Sequence, residues 1–123
     1  MNRLCQIRDI QKAVHLYEES FIQMYGICLN EGMVLCSLHR HDSEKNGRDG
    51  LSSGELSKLL GLTASNTSKV IASLEKKGCI SRAIGEGDKR QMFFRLTPSG
   101  EKILEKVEKD ELELPGRLRT LME

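Results

Sequence analysis

The chain contains no tryptophan, only 2 prolines, and 4% aromatic residues, so no broad aromatic platform is available for stacking bases or sugars. Its longest unbroken apolar run is Met33 to Cys36, far below the roughly 20 residues that a membrane-spanning helix needs. No transmembrane helix is expected. The opening residues interleave charges from Arg3 to Glu19 and offer no apolar core for a secretory signal, so the chain is expected to stay in the cytoplasm. The 4 cysteines, Cys5, Cys28, Cys36 and Cys79, form no Cys-x-x-Cys pair, and a chain kept in a reducing compartment holds them as thiols that read first as small buried hydrophobes.

What is present fits one domain. A length of 123 residues with 38% hydrophobic and 30% charged side chains suits a mainly helical fold with a charged surface. The net charge of +1 hides an uneven distribution. Residues 52–95 carry 8 Lys or Arg against 4 Asp or Glu, whereas residues 1–51 and 96–123 are each slightly acidic. A basic centre between acidic flanks matches a compact DNA-contacting module, and a solvated basic face would give the same count.

The first segment places Ile7, Ile10, Val14, Tyr17, Phe21 and Met24 at spacings of three and four, a helix with a narrow apolar seam. That pattern fits a subunit interface and burial in the protein's own core equally well. A second helix is expected from Asn30 as N-cap to about His41, with Met33, Val34 and Leu38 inward, followed by a turn-rich loop over 42–50.

Ser52-Ser53-Gly54-Glu55 then reads as a capping box, opening a helix from Ser53 to Leu60 with Leu56, Leu59 and Leu60 inward. Gly61 stops it, and Thr63 caps a second helix that carries Val70, Ile71 and Leu74 inward until Gly78. Two short helices joined by one tight turn make a helix-turn-helix. Ile80 to Ile84 and Met92 to Leu96 alternate as the strands of a β-hairpin whose loop carries Asp88, Lys89 and Arg90. Thr97 and Pro98 open a further helix with Ile103, Leu104 and Val107, interrupted near Pro115, and Leu118 and Leu121 lie on a short final turn.

The outward face of the second helix of the pair consists of Ser65, Asn66, Ser68, Lys69, Ala72, Ser73 and Lys76, small and polar with lysines behind. A helix that enters the major groove needs short donors and acceptors at its N-terminal turn. Asn66 suits adenine, and Lys69 suits guanine or a phosphate. The hairpin tip can reach a minor groove with Lys89 and Arg90, with Asp88 bracing Arg90.

The run Leu51-Ser52-Ser53-Gly54-Glu55-Leu56-Ser57-Lys58-Leu59-Leu60-Gly61-Leu62-Thr63 is followed by Ser65-Asn66-Thr67-Ser68-Lys69, Leu74-Glu75-Lys76-Lys77-Gly78, Asp88-Lys89-Arg90 and Leu96-Thr97-Pro98-Ser99-Gly100. In this order they resemble the MarR family of bacterial winged-helix regulators. The resemblance implies an α+β winged helix-turn-helix in a single domain over 1–123, with dimerisation helices at 1–29 and 98–123 around a DNA-binding lobe at 30–97. It further implies a homodimer on a pseudo-palindromic double-stranded DNA operator. Each recognition helix would lie in a major groove and each wing in a minor groove. Ser65, Asn66, Ser68 and Lys69 match the family's DNA-contacting turn, with the cap Thr63 at the same end, and Asp88 and Arg90 match its wing. Lys89 stands where the family often has arginine, and a lysine acts there as a point charge.

The family also implies a small-molecule effector between the dimer and DNA-binding parts, although residues 1–40 offer few aromatics to line its pocket. Cys5, with Tyr25 on the same helix, invites comparison with peroxide-sensing relatives, but 20 residues of helix separate them by about 30 Å. Cys36, His39 and His41 beside Asp42 invite comparison with metal-responsive relatives, yet on a helix His41 points away from the other two. No metal, cofactor or catalytic residue is expected, since no phosphate loop or nucleophile elbow is present. The rival to a DNA-binding regulator, with or without thiol or metal response, is a winged helix used only for protein contact, which would show exposed Leu, Met or aromatics on the helix face.

Overall fold

The computed structural model describes residues 2–44, 50–84, 92–110 and 116–122. The side chain of Asn2 accepts the Leu4 amide at 2.9 Å and so caps helix α1, Arg3–Tyr25, which ends at Gly26 in the left-handed conformation. The apolar seam read from the sequence divides along this helix. Phe21 is buried between Tyr17 and Tyr25, with ring centroids 6.0 and 4.8 Å away, while Ile7, Val14 and Met24 remain exposed.

Helix α2, Leu29–Glu44, starts before the expected Asn30 cap and runs past His41. Its start is set by two carboxylates instead: Glu31 accepts the Cys28 amide and Glu18 accepts the Leu29 amide, both at 2.9 Å. Val34, Leu35 and Leu38 are buried, but Met33 is 47% exposed, a correction to the inward face expected for it. At about 100° per residue, Met33 lies a quarter-turn or more outside the stripe formed by Val34, Leu35 and Leu38.

Gly50 leads into a two-residue strand β1, Leu51–Ser52, that the sequence did not announce, since two residues show no alternation. It pairs antiparallel with β3, Met92–Leu96, which pairs antiparallel with β2, Ile80–Ile84, in the order β1-β3-β2. The register sets Phe94 opposite both Leu51 and Arg82.

Helix α3, Ser53–Leu60, has the capping box in full: Ser52 Oγ accepts the Glu55 amide at 3.2 Å, and Glu55 accepts the Ser52 amide at 3.0 Å. Leu56 is buried and Leu60 is packed against the core, whereas Leu59 is exposed, contrary to expectation. Helix α4, Ala64–Lys76, follows as read, capped by Thr63. Thr97 caps α5, Pro98–Lys109, by accepting the Gly100 amide, and donates to the Gly78 carbonyl at 2.6 Å. This helix ends at Lys109, ahead of Pro115, which lies outside the described residues. Helix α6, Gly116–Met122, packs along α1.

One core joins α1 to α5 and the sheet, built on Phe21, Ile27, Val34, Leu35, Leu38, Leu51, Leu56, Ile71, Leu74, Ile80, Phe94 and Leu104. Cys79 belongs to it, Cys5 and Cys28 are half-buried, and Cys36 is exposed, so the reading of all four as buried hydrophobes holds only in part. Among the described residues no single helix is long and apolar enough to cross a membrane.

Candidate nucleic-acid interface

The helix pair is locked at its turn. Gly61 adopts φ 68° and its amide donates to the Ser57 carbonyl, closing α3, and two residues later Thr63 Oγ1 accepts the Asn66 amide at 3.1 Å, opening α4. Thr67, fully buried, donates its hydroxyl to the Thr63 carbonyl at 2.8 Å and lies 2.7 Å from Ser57 Oγ. With its proton committed to Thr63, Thr67 receives that of Ser57, which ties α3 to α4 through side chains alone.

This packing turns one edge of α4 outward. Ile71 and Leu74 are buried and Val70 is half-buried, while Thr63, Ser65, Asn66, Ser68, Lys69, Ala72 and Lys76 are exposed. No large apolar side chain stands on this edge, which is narrow enough to enter a groove. Among the described residues no carboxylate pairs with Lys69 or Lys76. Ser73 departs from the sequence reading: it is half-buried and donates to Glu31 Oε2 at 2.9 Å, so it belongs to the attachment of the helix.

Two acid–base contacts hold the C-terminal half of α4. Glu31, 4% exposed, receives Lys77 Nζ at 2.9 and 3.0 Å in addition to Ser73 and the Cys28 amide. Burial alone would push this carboxyl up, but the hydrogen bonds from Cys28, Lys77 and Ser73 outweigh it and hold the acid below its ordinary value. On the other flank Glu75 takes a two-pronged contact from Arg82 of β2, with Arg82 Nη2 2.8 Å from Oε1, and these bonds likewise hold the Glu75 carboxyl down. Arg82 also lies over the Phe94 ring, 5.8 Å from its centroid. Two of the cations in the basic middle third, Lys77 and Arg82, are thus engaged within the protein. Nothing in the sequence distinguished them from Lys69 and Lys76, because their partners lie on other elements.

The wing residues Asp88, Lys89 and Arg90 fall outside the described residues; of the roots of the wing, β2 lies beside α4 and β3 pairs with β2. The helix pair and hairpin root therefore have the arrangement of a winged helix. A family model described as "MarR family" matches residues 27–92. The chain belongs to the MarR family. That match runs from just before α2 to the first residue of β3 and takes in the whole helix pair and β2, and the fold is this family's winged helix-turn-helix.

Solved structures agree. The MepR–DNA complex of S. aureus is 26% identical, with 84% of this chain and 79% of that one covered, at a TM-score of 0.65. S. aureus MepR in its DNA-binding conformation is 25% identical over 88% of this chain and 75% of that one, with a TM-score of 0.73. Wild-type MarR of E. coli in its apo form is 25% identical over 87% and 73%, with a TM-score of 0.68. No curated protein sequence matches the chain significantly.

The cysteines sit apart from one another. Cys5 and Tyr25 stand at opposite ends of α1, and the Tyr25 hydroxyl donates to Asp110 at 3.3 Å. Burial pushes the Cys28 and Cys79 thiols up, the direction opposite to activation. Among the described residues no three His, Cys, Asp or Glu side chains converge as metal ligands, Cys36, His39 and His41 included. Where α2 meets α5, a small open cleft is lined by His39, Glu101, Leu104, Glu105 and Glu108.

Proposed function

We propose that this MarR-family chain is a sequence-specific, DNA-binding transcription regulator acting as a homodimeric repressor. The observation that carries the reading is the outer edge of α4. Its four small or amide-bearing residues near the N-terminus, Ser65, Asn66, Ser68 and the cap Thr63, stand exposed ahead of Lys69, whose charge meets no carboxylate among the described residues. Such an edge suits base edges and phosphates together, and it lacks the exposed Leu, Met or aromatic residues of a protein-docking helix. The likeness to MepR solved with DNA supports the same reading.

Dimerisation is supported by apolar surface that the single chain leaves uncovered. Leu4, Ile7, Val14 and Ile22 are all exposed, and at about 100° per residue they share an arc of about 80° on α1. Leu121 and Met122 of α6, which packs along α1, are 60% and 70% exposed. A second copy would cover this face and set two α4 helices one helical turn of DNA apart, which calls for a pseudo-palindromic site and gives repression by occluding a promoter.

Selection from a random duplex pool, followed by gel shift and sedimentation, tests the reading. A selected inverted repeat bound by two chains supports it, and retention of no duplex sequence over competitor contradicts it. Screening small phenols, oxidants and zinc for release of the selected DNA tests for an effector and for thiol or metal response. Cytoplasmic location belongs to the same proposal.

A further inference from the structure

The α4 helix carries the proposed DNA contacts near its N-terminus, where Thr67 ties it to α3, and its C-terminal half is held by two acid–base contacts. One of these runs through a buried carboxylate. Glu31 stands in the first turn of α2, and its two oxygens receive the Cys28 amide, Ser73 Oγ and both approaches of Lys77 Nζ, all between 2.9 and 3.0 Å. Both Ser73 and Lys77 lie at the C-terminal end of α4. One residue before Asn30, the Leu29 amide donates to Glu18 of α1, so the same stretch of backbone is tied to the helix whose exposed face awaits a second copy. Hydrogen bonds thus run from α1 through the start of α2 to α4.

A carboxylate is well suited to this joint. It accepts four hydrogen bonds around two oxygens and fixes distance and direction at once, where apolar packing between the same elements tolerates sliding. Ser73 and Lys77 are one helical turn apart and bracket the carboxylate, which resists rotation of α4 about its own axis as well as translation along it.

We infer that Glu31 is a positioning residue for DNA recognition: it sets the pose of α4 relative to the α1–α2 body, and therefore the spacing and tilt of the two recognition helices in the dimer. The inference rests on the proposed function, because a pose matters to binding only if α4 reads DNA. It assigns Lys77 to this joint and not to the phosphate backbone.

A dimer that reads two half-sites requires both helices in register. A relaxed joint therefore weakens binding to the full operator while leaving non-specific backbone attraction intact. The experiment measures affinity of the full-length chain for its selected two-half-site operator and for an unrelated duplex of equal length, across a salt series. The chains compared are the wild type, Glu31→Gln, Ser73→Ala, Lys77→Met and the double variant Glu31→Gln/Lys77→Met, all well below their thermal midpoints. Glu31→Gln keeps the side-chain volume. Ser73 and Lys77, at the more exposed rim, supply variants that fold should the buried change not.

Operator affinity is expected to fall by about five- to thirtyfold in Glu31→Gln and Lys77→Met, with the salt slope and the affinity for unrelated duplex unchanged. The double variant should lose little more than the worse single one, the signature of one shared joint. Operator affinity unchanged in Lys77→Met and Ser73→Ala overturns the inference, as does a parallel fall for both duplexes, which marks a loss of folded protein. A salt slope flattened by about 1 in Lys77→Met also overturns it, by showing that this lysine meets a phosphate. A wild-type chain that selects no duplex overturns the proposed function itself.

Discussion

Ser57 Oγ and Thr67 Oγ1 lie 2.7 Å apart across the turn of the helix pair, and Thr67 is completely buried. Replacing Thr67 by Val keeps the shape but removes the acceptor for Ser57 and the donor for the Thr63 carbonyl. The expected cost is about 1–3 kcal/mol, read as a lower urea midpoint at unchanged slope. Ser57→Ala added to Thr67→Val should cost less than the two changes separately, since the single variant has already lost the shared bond.

Two glycines in helices should respond oppositely to alanine. A Cβ on Gly100 would stand 2.2 Å from the Cys79 carbonyl oxygen and 3.2 Å from Leu96, so Gly100→Ala must push the start of α5 away from the strand it abuts. A loss of about 1–3 kcal/mol is expected. At Gly54, where a Cβ meets nothing closer than Ser52 Oγ at 3.9 Å, alanine should stabilise by a few tenths to about 1 kcal/mol through the unfolded chain. Thermal midpoints of the two variants moving in opposite directions would bear this out.

The Glu31 carboxyl is held below its ordinary value of 4.5 by its hydrogen bonds. A depressed acid contributes stability that is complete above its unfolded value and is lost as pH falls through the folded one. Acid titration of stability should therefore show a decline below about pH 4.5 that is shallower in Glu31→Gln. Glu75, depressed by Arg82, keeps part of the slope in that variant. Equal slopes in the two chains would remove Glu31 from this role.

Ile7 and Val14 are 51% and 38% exposed on α1 of the single chain. An aspartate at either position costs little to a monomer but places an unpaired charge in the proposed subunit interface. Sedimentation of Ile7→Asp and Val14→Asp should show monomer at concentrations where the parent chain is dimeric, with helical content retained.

Much of the fold was readable because its signals are local. The Ser52–Glu55 capping box, Gly61, Thr63 and Thr97 each act within four residues of themselves, and all stand where the sequence placed them. The start of α2 was misread because its caps, Glu31 and Glu18, come from inside the helix and from α1. Strand β1 is two residues long and exists only through its partner β3. At the site, the exposed edge from Ser65 to Lys69 followed from helix periodicity. Ser73, Lys77 and Arg82 carry the same residue types as a DNA-facing surface, and only their partners Glu31 and Glu75 show that they hold the helix in place.

The central claim is that the Ser65–Lys69 edge of α4 contacts DNA, and the salt dependence of binding to the selected operator tests it most directly. Lys69→Ala should weaken binding and reduce the slope of log affinity against log salt by about 1, the loss of one phosphate contact. Affinity and slope both equal to those of the parent chain would contradict the claim.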